Sequence, residues 1–146
     1  MNLYHITHPG YVTAIMAEGL RLSHCNYLNE TGFTAPASMY TPLLSRELDR
    51  DIKYIGRYVW MSAVPQVRCT SWHWDCEAAV IKVNPEGLEV YHWPDVARGL
   101  RKRNRSRLRI KTLHKSARKL GDKPENWYVS LQPIPASHLE NLGGEG

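Results

Sequence analysis

The stretch LYHITHPGYVTAIMAEGLRL, residues 3–22, decides how this chain begins to fold. Residues 3–6 predict a short strand, and Pro9 is typical of a first helical turn, where its missing N–H costs nothing. Gly19 is placed to end that helix. Four apolar residues follow the spacing of one helix face: Val12, Ile15, Met16 and Leu20. The stretch therefore predicts a strand, a tight turn, a helix and a second short strand at residues 20–22.

The composition changes in the middle of the chain. Residues 23–40 are rich in Asn, Thr, Gly, Pro and Ser, which predicts a long loop. Long loops inside compact domains are usually functional or disordered. Thr41 followed by Pro42 is typical of a helix start, so we expect a helix through about Arg50.

Short strands dominate the second half of the chain. Three stretches are rich in β-branched and aromatic residues: residues 58–64 (YVWMSAV), 78–84 (AAVIKVN) and 126–135 (NWYVSLQPIP). The second of these is the best candidate for a central strand. After the turn Pro85-Glu86-Gly87, the run LEVYHW at residues 88–93 is expected to continue as a strand in a hairpin-like pairing. A helix is expected to begin at Trp93 and to run into a basic segment.

These elements predict the fold class. Six or so short strands with two or three helices, following one another without regular helical crossovers, favour α+β over a doubly wound sheet. No G-x-G-x-x-G motif follows a strand, which disfavours a Rossmann dinucleotide site. Residues 1–146 have the length of a single domain that buries its own core.

Targeting and membrane segments are not expected. The start MNLYHITH lacks a basic region followed by an apolar run, and no later stretch is apolar over the length that spans a bilayer. Three cysteines are an odd number, which disfavours a disulfide framework of the secreted kind. We therefore expect a soluble, cytoplasmic protein with free thiols, and a monomer.

One cysteine-containing segment raises the question of zinc. Cys69, His73 and Cys76 have the spacing C-x3-H-x2-C, and His24 and Cys25 are further candidates upstream. The paired C-x2-C knuckles of recognisable structural zinc sites are missing. The sequence therefore predicts no metal, with zinc at this segment as the alternative.

Positive charge is concentrated in residues 98–123. The formal net charge of the chain is +5, but this segment alone holds twelve Lys or Arg and one acidic residue, so the rest of the chain is acidic. Such a block is either a solvated face or a contact for phosphate backbones. The run CTSWHWDC adds two tryptophans that are either buried or stack on a base. The candidate nucleic-acid-binding residues are Arg101, Arg103, Arg105, Arg107, Lys111, Trp72 and Trp74.

Three patches of the sequence resemble the ADP-ribosyltransferase superfamily. LYHITHPGYVTAIMAEGLRL resembles the opening of that fold, and YHITH is especially similar to the DarT-type toxins that modify DNA bases. YIGRYVWMSAVP, residues 54–65, resembles the middle motif of the poly(ADP-ribose) polymerase branch. PENWYVSLQPIPASHL, residues 124–139, resembles the last catalytic strand of that branch. Together the patches cover under half of the chain.

The resemblance implies a split β-sandwich that holds NAD, as a co-substrate, in a groove without a Rossmann turn. It implies that His5 contacts the nicotinamide-side ribose and that Glu125 faces the reacting C1′ carbon. The remaining candidate NAD-binding residues have implied contacts with the nicotinamide or the phosphates: Thr7, Arg21, Tyr54, Tyr58 and Ser62. Arg57 is an alternative to Arg21, because no arginine stands where some branches of the family have one.

The chemistry of NAD cleavage explains why a carboxylate matters. Breaking the nicotinamide–ribose bond develops positive charge on the sugar, and a carboxylate nearby stabilises this transition state more than the ground state. Glu125 is the candidate for this carboxylate. It is also the candidate for the general base that activates the acceptor. Lys123, two residues before it, stands where protein-arginine modifiers have Gln or Glu. This departure disfavours arginine as the acceptor.

Simpler interpretations stand beside these assignments. His5 is otherwise a half-buried strand histidine, Glu125 an exposed turn residue and Trp60 a core residue. The leading hypothesis is an NAD-dependent mono-ADP-ribosyltransferase, a toxin or phage or bacterial conflict factor, whose acceptor is a nucleic acid or an acidic protein. The alternatives are an NAD-dependent RNA 2′-phosphotransferase and a non-catalytic nucleic-acid-binding domain. The enzymatic hypotheses built on these residues require His5 and Glu125 to meet in one cleft.

Overall fold

The computed structural model of the chain describes residues 1–7, 9–22, 57–65, 79–103, 107–119 and 121–142. Within these ranges, the side chains of residues 103, 107–109 and 116 are not described. The expected loop at 23–40 and the expected helix at 41–50 lie outside the described residues.

Six strands and three α-helices make up the described part of the chain. In chain order they are β1 (Leu3–Thr7), α1 (Val12–Glu18), β2 (Val59–Ser62), β3 (Ala79–Val83), β4 (Val90–His92), α2 (Trp93–Arg103), α3 (Arg107–Lys119), β5 (Trp127–Ser130) and β6 (Leu139–Asn141). The strands form one antiparallel sheet in the order β4-β5-β2-β1-β3-β6. The architecture is therefore mixed α+β, as the sequence predicts.

Helices α2 and α3 pack against one face of the sheet. Trp93, the first residue of α2, is completely buried and contacts aromatic rings of the strand region around β2. The buried cluster on this face consists of Tyr58, Trp93, Ala97, Ile110, Leu113, Ala117, Trp127 and Val129. Burial of this apolar surface, at about 25 cal/mol per Å², holds the helices on the sheet.

The opposite face of the sheet packs against α1 and the chain around Leu20. The buried cluster there consists of Leu3, Leu20, Val59, Met61, Val83 and Ile134, with Ile15 of α1 packed against it. Side chains alternate between the two faces along a strand. The odd-numbered residues of β1 and β2 therefore point towards this second cluster, and the even-numbered residues of β2 point towards α2 and α3.

The pairing expected for β4 is wrong. β4 pairs with β5 at one edge of the sheet, whereas β3 lies near the other edge, between β1 and β6. The physical reason is Trp93, which directly follows β4 and is buried beside Tyr58 and Trp60. Burying this indole brings β4 to the β5 edge, so no hairpin with β3 forms.

Two further elements differ from expectation. The second strand expected at residues 20–22 is only an isolated bridge between Leu20 and Ile134. β6 forms where the sequence indicated a turn and a tail, and it pairs with β3 from Val83↔Leu139 to Ile81↔Asn141. None of the helices in the described ranges is long and apolar enough to cross a membrane.

Candidate functional site

The three patches that carry the family resemblance meet on neighbouring strands. β1 lies in the first patch, β2 in the second and β5 in the third, and the sheet order places them side by side as β5-β2-β1. Ser62 of β2 pairs with Tyr4 of β1 on one side and with Trp127 of β5 on the other. Segments far apart in the sequence therefore form one continuous surface.

The sheet opens between β1 and β2 at His5. These strands form a single residue pair, Tyr4↔Ser62, whereas β1 and β3 pair along the whole of β1. The imidazole of His5 lies 2.8 Å from the carbonyl oxygen of Trp60, measured from Nδ1. Because a carbonyl only accepts hydrogen bonds, Nδ1 carries the proton and donates it. A side chain thus bonds the carbonyl where the backbone pairing has ended.

The protonation state of His5 follows from its surroundings. Burial lowers the pKa of the imidazole, and the hydrogen bond to the Trp60 carbonyl opposes this effect without reversing it. The ring is therefore neutral at physiological pH. With its proton on Nδ1, the neutral ring presents Nε2 as an acceptor. Such a nitrogen fits a hydroxyl donor, and a ribose offers hydroxyl groups.

The two candidate hydroxyls differ in their relation to His5. Thr7 is buried and points to the same face of β1 as His5, two residues away. Ser62 is also buried, but it lies on the opposite face, and its Oγ accepts the N–H of Val64 at 3.1 Å. The structure therefore brings Thr7, but not Ser62, to the His5 side of the sheet.

The candidate tyrosine of the middle patch lies in the core. Tyr58 is buried beneath the helices, with its ring 5.4 Å from that of Trp60 and 6.0 Å from that of Trp93. Burial raises the pKa of its phenol. Trp60 packs against the same cluster, which confirms its expected core role. Tyr54 lies outside the described residues.

The arginine candidates for NAD phosphates are both exposed. Arg21 follows the Leu20 bridge and forms a 2.9 Å ion pair with Glu18. Arg57 precedes the β2 region and is exposed as well. No contact joins either guanidinium to His5 in the described part of the chain.

Glu125 lies in the 3-10 turn Pro124–Asn126, directly before β5. Its carboxylate forms an ion pair with Arg118 of α3, and both side chains are more than half exposed. A hydrogen bond with its own backbone, followed by the bond from Arg118, lowers the pKa of this carboxyl. Glu125 is therefore ionised and is held towards the helices.

The structure does not bring His5 and Glu125 together. His5 points to the face that packs against α1, while the partner of Glu125 belongs to α3 on the other face. They are also separated along β2: His5 bonds Trp60, whereas Asn126 bonds Ala63. Three residues of strand span about 10 Å. The single ribose contact that the resemblance implies for both residues is therefore not assembled here.

Helices α2 and α3 present a basic surface to solvent. Among the side chains that the structure describes, seven cations on them are exposed: Arg98, Arg101, Lys102, Lys111, Lys115, Arg118 and Lys119. Arg98 pairs with Asp95 at 3.2 Å and Arg118 pairs with Glu125. Two predicted residues, Arg101 and Lys111, thus lie on this surface. We call these seven cations the basic helical surface.

Several predicted residues are not placed. Arg103 and Arg107 belong to α2 and α3, but their side chains are not described. The others lie outside the described residues: Arg105, Trp72, Trp74, and the zinc candidates Cys69, His73, Cys76, His24 and Cys25. Within the described ranges, no three His, Cys, Asp or Glu side chains are grouped to hold a metal ion.

His114, which no sequence motif marks, lies beneath the basic helical surface. Its Nε2 accepts the indole N–H of Trp93 at 2.9 Å, so the ring is neutral. Burial, Arg101 and Arg118 lower its pKa to about 4, while Glu125 acts in the opposite direction. His114 therefore senses a positive potential. Its only sequence signal is its place one turn after Ile110, beside the apolar side of α3.

Comparison with known proteins adds no relative. No protein-family model, no curated protein and no solved structure matches this chain significantly.

Proposed function

We propose that this protein is an NAD-dependent mono-ADP-ribosyltransferase whose acceptor is a nucleic acid, built on a split sheet of the ADP-ribosyltransferase type. One observation carries the proposal: the three resembling patches form the neighbouring strands β5, β2 and β1, and the sheet opens at His5 between two of them. The basic helical surface supports the choice of nucleic acid as acceptor.

His5 has the binding role in this proposal. Its neutral Nε2 accepts a hydrogen bond from a ribose hydroxyl of NAD, and its Nδ1–H stays on the Trp60 carbonyl. Thr7, on the same face, is the second candidate for this contact. The requirement that His5 and Glu125 meet in one cleft is not met in this structure, so the proposal keeps His5 alone as the ribose contact and leaves out Glu125, which Arg118 holds on the helical face. The carboxylate that stabilises the oxocarbenium-like charge is left unassigned.

Release of nicotinamide from labelled NAD, with DNA or RNA present, tests this function. His5→Asn is the informative variant, because an Asn amide N–H replaces Nδ1–H while the Nε2 acceptor is lost. We expect kcat/KM to fall about tenfold or more, the effect of one hydrogen bond of about 1.4 kcal/mol. Lys82→Gln, on β3, is the control. The proposal is contradicted if His5→Asn releases nicotinamide as fast as the unchanged protein. It is also contradicted if the unchanged protein releases none.

Glu125→Gln tests the assignment of the carboxylate separately. Because Glu125 is paired with Arg118 on the face opposite His5, we expect this variant to keep most of the nicotinamide release. Complete loss of release in Glu125→Gln, with the fold intact, would return Glu125 to the catalytic role that the resemblance implies.

The separation of His5 from Glu125 also favours a second reaction, that of an RNA 2′-phosphotransferase. A phosphate monoester acceptor is already anionic near neutral pH, so it needs no general base beside His5 to become a nucleophile. Adding RNA with an internal 2′-phosphate to the NAD assay distinguishes the two reactions. Loss of that phosphate, rather than modification of an unphosphorylated acceptor, identifies the phosphotransferase.

The second class of function is a nucleic-acid-binding domain without NAD turnover. The observation that favours it is that exposed cations line α2 and α3, while the Glu125 carboxylate pairs with Arg118 and does not meet His5. Binding to nucleic acid with a steep salt dependence, in a protein that releases no nicotinamide from NAD, would identify this function.

A further inference from the structure

The exposed side of α2 and α3 carries more positive charge than its own carboxylates neutralise. Of the seven cations of the basic helical surface, Arg98 and Arg118 have acidic partners. Among the described residues, no carboxylate pairs with the other five: Arg101, Lys102, Lys111, Lys115 and Lys119. The apolar sides of both helices are meanwhile buried in the core. The charge is thus held on a rigid support.

Three of these lysines form a straight row. Lys111, Lys115 and Lys119 are exposed and follow one another at intervals of four residues along α3. Residues at this interval share one side of a helix. The row is about 12 Å long at about 1.5 Å per residue. This length matches about three to four phosphates of one DNA strand at about 3.4 Å of axial rise each.

Among the side chains that the structure describes, α2 and α3 carry exposed cations but no exposed aromatic ring. The aromatic rings of these helices are Trp93, which is completely buried, and His114, which is partly buried and bonded to Trp93. Proteins that bind single strands combine a basic groove with exposed aromatic side chains on which the bases stack. A duplex, whose bases are already stacked, needs only contacts to its phosphates.

We propose that the basic helical surface docks the sugar–phosphate backbone of double-stranded nucleic acid, without sequence preference, along the row Lys111, Lys115 and Lys119. The choice of nucleic acid rests on the proposed function, and the duplex form goes beyond it. An acidic protein fits less well, because a row of regularly spaced cations on a straight helix matches the regular charges of a duplex.

Binding of a short labelled DNA duplex of mixed sequence to the full chain, measured by fluorescence anisotropy over a range of salt concentrations, tests the proposal. The double variant Lys111→Gln/Lys115→Gln should bind every duplex sequence more weakly. The slope of log Kobs against log salt should lose about 0.9 per phosphate contact removed, or about 1.8 in total. Lys82→Gln, which removes a lysine on the distant strand β3, should bind like the unchanged protein.

A second measurement does not depend on a variant. Phosphates seated beside Arg101 and Arg118 offset the charges that depress the pKa of His114. NMR titration of His114 in the unchanged protein should therefore show its pKa rising when the duplex is present. Four results would each overturn the proposal. The slope of log Kobs against log salt is unchanged in the double variant, or the pKa of His114 in the unchanged protein does not rise with the duplex. Alternatively, a single strand binds more tightly than the duplex, or only an acidic protein binds. None of these outcomes affects nicotinamide release, so the two proposals fail separately.

Discussion

At the scale of single residues, the clearest functional feature is the tautomer of His5. One hydrogen bond to the Trp60 carbonyl assigns the proton to Nδ1, and burial keeps the ring uncharged. The same bond gives the Trp60 carbonyl a hydrogen-bond donor at the point where β1 and β2 stop pairing. The structural role uses Nδ1 and the proposed binding role uses Nε2, so the two are compatible in one side chain.

His114 makes stability depend on pH. Its pKa is about 4 in the folded protein and near 6.5 in the unfolded chain. Below pH 6.5 the unfolded chain takes up a proton that the folded chain refuses, so the free energy of unfolding falls as the pH is lowered. The full shift corresponds to about 3 kcal/mol near pH 4, and the loss should be smaller than this because His114 is only half-buried and its arginine neighbours are screened by solvent. Urea unfolding at a series of pH values measures it.

A matched variant isolates this contribution. His114→Gln retains an acceptor for the Trp93 indole and does not titrate, so its stability should fall less steeply between pH 6.5 and about 4. The lowered pKa values of His5 and Glu125 also make the free energy of unfolding fall as the pH is lowered, but they do so in both proteins. Parallel pH profiles for the two proteins would rule out His114 as the source.

At the scale of elements, the end of α1 depends on Gly19. This residue has φ +89°, and a Cβ placed there would lie 2.4 Å from the backbone oxygen of Ile134. Leu20 and Ile134 bond to each other through their backbones at this point, so the oxygen cannot move freely. Gly19→Ala should therefore lower the free energy of unfolding by about 3 kcal/mol or more, from strain and steric conflict together.

Gly87→Ala is the control for Gly19→Ala. Gly87 has φ +78°, but nothing lies within 4 Å of its Cβ position. Only the unfavourable positive φ remains, so Gly87→Ala should lower the free energy of unfolding by about 1 kcal/mol. Thermal or urea unfolding of both variants measures the difference. Equal losses would mean that the contact with Ile134 is not what requires glycine at position 19.

Replacing the glycine within α2 should raise the free energy of unfolding rather than lower it. Gly99 lies inside the helix Trp93–Arg103, and nothing lies within 4 Å of its Cβ position. Alanine loses less conformational freedom than glycine on helix formation, so Gly99→Ala should raise the free energy of unfolding by about 0.5–1 kcal/mol. A higher urea midpoint with an unchanged m-value would confirm it, and a lower midpoint would contradict it.

Local signals located most elements, but not all of their partners. Pro9 and Gly19 bound the α1 region, and the β-branched run at 79–83 forms β3, because these features act within a few residues. The edge position of β4 could not be predicted, since it depends on Trp93 packing against distant rings. The β6 segment pairs with β3 through its backbone, and that leaves little trace in the side-chain pattern.

At the scale of the whole molecule, the sheet separates the two candidate functions. The His5 opening faces the α1 side, and the basic helical surface covers the other side. The run of Lys and Arg at residues 98–123 predicted the basic segment directly, whereas a groove at His5 was only implied by the family resemblance. Their separation was not predictable: the face of Glu125 depends on its ion pair with Arg118 and on the side of the sheet to which α3 packs. Both are consequences of tertiary packing.

This separation predicts that the two sites are energetically independent. His5→Asn should reduce the thermal stabilisation of the protein by NAD while leaving duplex affinity unchanged, and Lys111→Gln/Lys115→Gln should do the reverse. In the triple variant both losses should add within about 0.5 kcal/mol, as for sites without shared contacts. Thermal shifts with NAD and anisotropy with duplex, measured on all four proteins, complete the cycle. A larger interaction energy would mean that the sheet transmits one binding event to the other face.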